Sequence, residues 1–153
     1  MSTREQLKVV QDVFIAASPE TVWEIVATEE GISQWLGPRT YVAQKGAAID
    51  FHVKTPDEGE FVMFGEIVTF DPPHELAFTW TQQTIGGDTW PEPTLVTILL
   101  EPKNGGTYVK LVHSGFENLP ASIARDEYDG YVIGWEVRPV LQQLKTLVES
   151  KTT

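Results

Sequence analysis

A chain of 153 residues, 41% hydrophobic and 22% charged, is one domain by length and ordinary for a globular protein with a proper core. Its net charge of −11, from 22 acids against 11 scattered bases, opposes phosphate backbones and anionic membranes, so nucleic acid is excluded as a partner. There is no cysteine, hence no disulfide framework or thiolate zinc site, and no apolar stretch approaches the ~20 residues of a membrane span.

At the start, Arg4 and Lys8 precede Val9-Val10, and Ala16-Ala17-Ser18 has the look of a cleavage site. Gln11 and Asp12 interrupt the apolar run and leave no signal core, so a cytoplasmic location is expected. Residues 8–16 read as a strand, with Val9, Val13 and Ile15 alternating against Lys8, Asp12 and Phe14. Ser18-Pro19-Glu20 starts a helix to about Ala27: Ser18 caps, Pro19 suits the first turn and Glu20 favours the positive end. A second helix, about Glu29 to Leu36, carries Ile32, Trp35 and Leu36 and ends at Gly37-Pro38.

From Tyr41 to Gly115 every signal is strand or turn. Strands are expected at 40–44, 48–54, 60–70, 74–83, 94–101 and 107–114. Turns fall at Lys45-Gly46, 56–59, Asp71-Pro72-Pro73, 85–88 and Asn104-Gly105-Gly106. Short connections make neighbours antiparallel, and with the first strand the sheet has about seven strands, enough to twist and cup a helix. Leu76, Phe78 and Trp80 share a face; so do Val96, Ile98 and Leu100, then Val109, Leu111 and His113. The 60–70 strand is ambiguous, because Phe61, Met63, Ile67 and Val62, Phe64, Val68 are both apolar sets.

The last patterned stretch, 121–149, is a helix with two apolar faces. Ile133, Val137, Val140, Leu141, Leu144, Leu147 and Val148 form one stripe, while Tyr128, Tyr131 and Trp135 lie opposite. Pro139 removes the bond to the carbonyl of Trp135, so a bend or break is expected within 134–139, with the first half roofing a cavity.

No nucleophile motif or phosphate loop is present, and His52, His74 and His113 lack ligand-like spacing; neither cofactor nor metal is expected. His74 reads as solvated in its turn. His113 reads either as bonded locally at a strand end or as a polar anchor at one end of a cavity. Glu66 would serve as a general base only if it faced that cavity. Asp126, Glu127 and Asp129 read as favourable charges early in the last helix. Trp35, Phe51, Phe64, Phe78, Trp80, Tyr131 and Trp135, with His113, are the candidate ligand-binding residues; plain core packing accounts for the same aromatics. A closed, empty apolar cavity of ~300 Å3 costs about 7 kcal/mol, at roughly 24 cal/mol per Å3, against a total stability of ~5–15 kcal/mol. A sizeable pocket is therefore wet, partly collapsed, open or filled.

The order strand, two short helices, antiparallel strands and C-terminal helix is the helix-grip arrangement, an α+β fold. Pro19-Glu20-Thr21-Val22-Trp23 with Trp35-Leu36, Gly65-Glu66-Ile67 with Phe70 to Trp80, and His113-Ser114-Gly115-Phe116 with Gly134-Trp135 carry a resemblance. The chain resembles the heat-shock-protein-90 ATPase activator-homologue-like (AHSA-like) family of the START-related, birch-pollen-allergen-like SRPBCC superfamily. The resemblance runs from about residue 9 to 148. It implies a curved sheet gripping the C-terminal helix, with a cavity between them for a small apolar or aromatic molecule, lipids among them. Binding is favoured over catalysis. A cyclase/aromatase-type enzyme and a module acting on a chaperone ATPase stay open as alternatives, as does a homodimer.

Overall fold

Turn chemistry sets the order of the strands. In the computed structural model, which describes residues 6–56, 59–84 and 87–151, Lys103 pairs with Gly106 across a two-residue loop. Asn104 and Gly105 both have positive φ, 52° and 80°, as the favoured hairpin turns require. Seven strands result: β1 (Val9–Ile15), β2 (Thr40–Tyr41), β3 (Ala48–Thr55), β4 (Gly59–Asp71), β5 (Glu75–Thr84), β6 (Thr94–Lys103) and β7 (Gly106–Ser114). They form one antiparallel sheet in the order β1-β7-β6-β5-β4-β3-β2. The expected turns at 56–59 and 85–88 lie partly outside the described residues.

Two helices bridge β1 to β2. α1 (Pro19–Val26) begins where the Ser18 hydroxyl accepts the Thr21 N–H at 3.2 Å, with Pro19 in the first turn where no donor is needed. α2 (Glu29–Trp35) is capped in the same way by Thr28, which accepts the Gly31 N–H at 3.0 Å. Both bury their apolar residues, and Trp23 meets Phe70 of β4 edge-on at 5.5 Å. The inner sheet face carries the alternation read from the sequence: Leu76, Phe78, Ile98, Val109 and Leu111 are all fully or almost fully buried.

The ambiguity of β4 has a structural cause. Phe61, Met63 and Ile67 face inward, but the register against β5 shifts between Ile67 and Thr69, so Val68 is an extra residue and Phe70 turns inward instead. One strand thus presents odd positions before the bulge and an even one after it. Just before the bulge, a Cβ on Gly65 would lie 1.8 Å from the Thr79 carbonyl oxygen, so only glycine fits where β4 and β5 close up.

Beyond β7, Gly115 takes the left-handed φ of 94°, which leads into a short 3-10 turn at Phe116–Asn118 that the sequence did not signal. Two helices follow, α3 (Ala121–Val137) and α4 (Val140–Lys151), in place of a single long one. Arg138 is extended, with φ −108° and ψ 90°, as a residue before proline prefers. The break expected within 134–139 falls at Arg138-Pro139, and the carbonyl of Pro139 starts α4 by accepting the Gln143 N–H at 3.1 Å. It also corrects the long apolar stripe. Val140, Leu141, Leu144 and Val148 are buried, and α4 packs on β1, α1 and α2, whereas Ile133 and Val137 are 60% and 73% exposed. A helical phase does not survive an extended residue, so positions in register on paper point apart across Pro139.

Candidate ligand cavity

α3 crosses the concave face of the sheet at aromatic distance and leaves a cavity of about 440 Å3 between them. Its floor follows from strand register. Phe51, Met63 and Gln82 are cross-strand neighbours on β3, β4 and β5, and Phe61, Trp80 and Val53 extend the same face. Its roof follows from helical spacing: Glu127, Tyr131 and Trp135 stand four residues apart on one row of α3. Asp126, Gly130, Gly134 and Arg138, all exposed, run along the mouth. A Cβ on Gly130 or Gly134 would meet nothing within 4 Å, and neither has positive φ, so neither packing nor backbone geometry demands glycine there. Their effect is to keep that side of the mouth free of side chains.

Roof and floor are joined by two hydrogen-bonded chains. The indole N–H of Trp80 donates to the Tyr131 hydroxyl at 2.8 Å, and Tyr131 in turn donates to Gln82 Oε1 at 2.6 Å. Behind them, Trp135 Nε1–H donates to His113 Nδ1 at 3.1 Å, and His113 Nε2 lies 2.7 Å from Thr94 Oγ1. Thr94 gives its proton to the carbonyl of Trp80 at 2.9 Å, so it receives one from Nε2. Indole is only a donor, which makes Nδ1 the acceptor; both ends of the chain therefore select the Nε2–H tautomer of a neutral imidazole. Burial drives the His113 pKa from 6.5 down to about 3. Burial likewise pushes the Tyr131 phenol up, with Glu127 adding to the rise and the Trp80 bond opposing it. The rings pack closely: Trp80 lies 5.0 Å from Phe51 and 6.0 Å from Trp135, between centroids.

Of the eight residues chosen from the sequence, Phe51, Trp80, Tyr131 and Trp135 meet on the cavity wall. Phe78 and His113 stand fully buried outside the lining, Phe78 tilted against Phe51 and Trp80, His113 against Trp135 and Tyr131. Trp35 is core, its indole bonded to the carbonyl of Val26. Phe64 is 39% exposed on the outer face, because β4 register turns Met63 and not its neighbour inward. Glu66 is exposed on that outer side too, which removes it as a base for the cavity, and His74 is exposed in its turn.

Glu127 was read as a helix-end charge and is instead part of the wall. It is half-buried, and its Oε2 accepts the indole N–H of the buried Trp90 at 3.1 Å. Desolvation raises its pKa, the Trp90 bond works against this, and Asp126 adds to the rise. The spacing Glu127, Tyr131, Trp135 was the available signal. A broader depression of about 570 Å3, between Lys8, Thr79, Pro93 and Ser114, has no aromatic wall. Among the described residues no group of His, Asp and Glu stands where it could hold a metal, and no helix is long and apolar enough to cross a membrane.

A seven-stranded sheet curved over a broken C-terminal helix, with an aromatic cavity between, defines a helix-grip protein. The chain belongs to the family described as Activator of Hsp90 ATPase homolog 1-like protein, whose profile matches residues 16–149. Similar solved structures include protein MLL2253 from Mesorhizobium loti, 24% identical over 94% of this chain and 97% of that one, with a TM-score of 0.71. Protein Ms6760 from Mycobacterium smegmatis is 16% identical, covers 99% and 96% of the two chains and has a TM-score of 0.74. CalU16 from Micromonospora echinospora is 18% identical, covers 97% and 80%, and has a TM-score of 0.64. At these identities the likeness is one of fold. Among curated proteins, none matches the chain.

Proposed function

We propose that the protein binds a small hydrophobic molecule between the sheet and α3. The observation that carries this reading is the cavity of about 440 Å3, a size within the usual range for ligand sites, with Phe51, Trp80, Tyr131 and Trp135 on its wall. Trp80, Tyr131 and Gln82 satisfy one another's polar groups across the space, which holds it open where free aromatics would collapse into it. Catalysis has less support: Glu66 is outside, and His113 is buried, neutral and saturated with bonds.

The test uses Nile red, a neutral solvatochromic dye, with wild-type protein and Gly134→Leu. The leucine starts from a Cβ position with open space around it, so the fold tolerates the change while the side chain enters the mouth. Wild type is expected to enhance and blue-shift the dye's emission, and Gly134→Leu to lose at least tenfold in affinity at a melting temperature no lower than that of wild type, since it also removes a helix-interior glycine. No enhancement by wild type, or equal enhancement by both proteins, sinks the reading. The family description carries a second reading, stimulation of a chaperone ATPase, which a direct ATPase assay with purified chaperone decides.

A further inference from the structure

We propose that the cavity is selective by charge: it takes a hydrophobic body bearing a cationic amine and discriminates against the same body bearing a carboxylate. The inference rests on the cavity reading above and names the class of ligand that the cavity fits. Three features of the wall lead to it.

The first is where the charges stand. Among the described residues, the charged or titratable groups lining the cavity, apart from the Tyr131 phenol, are Asp126, Glu127, Arg138 and His52. Asp126 and Glu127 sit together at the α3 N-terminal end. Arg138 lies eleven residues further on, about 16 Å along a helix at 1.5 Å per residue, beyond the ~8 Å over which physiological salt leaves charges coupled. His52 is on the strand side, its ring 3.8 Å from Glu60, which also pairs with Lys54 at 3.9 Å, so that side is close to balanced in charge and the unbalanced charge stands at Asp126 and Glu127. Lysine is absent from the lining.

The second is the state of Glu127. Oε2 is taken by Trp90, and Oε1 has no hydrogen bond among the described residues. No cation is among the groups that shift its pKa; burial and Asp126 both disfavour its charge. The nearby Arg125 is directed elsewhere, 3.5 Å from Asp129 and over the Tyr128 ring. A half-buried carboxylate with no counter-charge among the described residues is stabilised by an ammonium placed beside it.

The third is the material between. A cation entering beside Glu127 meets Tyr131, then Trp80 and Trp135, the three rings lying on the wall with Trp80 5.9 Å from Tyr131 and 6.0 Å from Trp135 between centroids. Aromatic faces attract a desolvated cation and repel an anion. The net charge of −11 adds a long-range field of the same sign preference.

Tryptamine, tryptophol and indole-3-propionate share one indole body and differ in their end group: ammonium, hydroxyl and carboxylate. Each is titrated against Nile red bound to wild type and to Glu127→Gln, in which the amide oxygen still accepts from Trp90. In wild type, tryptamine is expected to displace the dye at least tenfold more tightly than tryptophol, with indole-3-propionate weakest. In Glu127→Gln the tryptamine-to-tryptophol ratio falls to within twofold, and in wild type it shrinks at 1 M salt. Equal affinity of tryptamine and tryptophol, tightest binding by the carboxylate, or a ratio unchanged in Glu127→Gln overturns charge selectivity and leaves the cavity reading standing. Failure of wild type to bind Nile red at all overturns both.

Discussion

His113 shows how one buried side chain ties a wall together and makes stability depend on pH. The folded protein holds it neutral, both ring nitrogens engaged, with its pKa lowered by burial to about 3 from 6.5. Unfolded, the imidazole takes up a proton as pH falls below 6.5. Between these values the unfolded state binds more protons, so stability rises with pH through the window and is lost as pH falls, by up to about 1.4 kcal/mol per pH unit. Glu127, its pKa raised, acts with the opposite sign, but it is only half-buried and its contribution is screened. Asp50 and Glu149, with lowered pKa, contribute stability that is lost on acidification only near and below their ordinary 3.8 and 4.5. Urea unfolding of wild type between pH 4.5 and 6.5 is therefore expected to show the His113 slope. His113→Gln should flatten that slope, and should lower stability at pH 7 by about 1–3 kcal/mol by leaving buried partners unpaired. An equal slope in both proteins would show that protonation elsewhere sets the acid limit.

At the scale of elements, Pro139 divides a stabilising helix from a covering one. Leu144 and Val137 are seven residues apart and would share a stripe on one straight helix, yet Leu144 is fully buried and Val137 is 73% exposed. Leu144→Ala is expected to cost about 2–5 kcal/mol and Val137→Ala less than about 0.5 kcal/mol, measured by urea unfolding. Comparable losses would mean an unbroken stripe. Gly134→Ala is expected to stabilise by about 0.5–1 kcal/mol, since glycine weakens a helix interior and nothing here requires it. The order of β2 to β7 was legible because turn residues and two-fold alternation are local, and so was the proline break; the place of β1 beside β7 was not, since about ninety residues separate the two strands. The outward phase of Ile133 and Val137 was not: it depends on the backbone of Arg138, which no hydrophobic periodicity records. The inward set of β4 stayed open for a similar reason, since the extra residue at Val68 shows only in the pairing with β5 and not in the pattern of β4 itself.

For the whole molecule, the fold was more legible than the site. Phe51, Trp80, Tyr131 and Trp135 stand together on the cavity wall because each lies on the apolar face of its element, a pattern the sequence carries, and the cavity collects those faces. Glu127 was missed because its role comes from Trp90, thirty-seven residues away in sequence and delivered by the loop between β5 and β6. The same assembly predicts how stability is distributed. α3 has two buried residues in seventeen, Ala124 and Trp135, whereas α4 has four in twelve. The helix with fewer buried apolar contacts opens at lower free energy, and cavity roofs are drawn from that end of the scale. Amide hydrogen exchange is thus expected to be faster across α3 than across α4 and the central strands β5, β6 and β7. Ligand bound at about 100 times its Kd adds about 2.7 kcal/mol to the folded state. That protection should reach α3 amides around Tyr131 and Trp135, because opening the roof releases the ligand. Exchange in α3 as slow as in α4, or unchanged by a bound ligand, would make α3 a fixed wall and place ligand entry elsewhere.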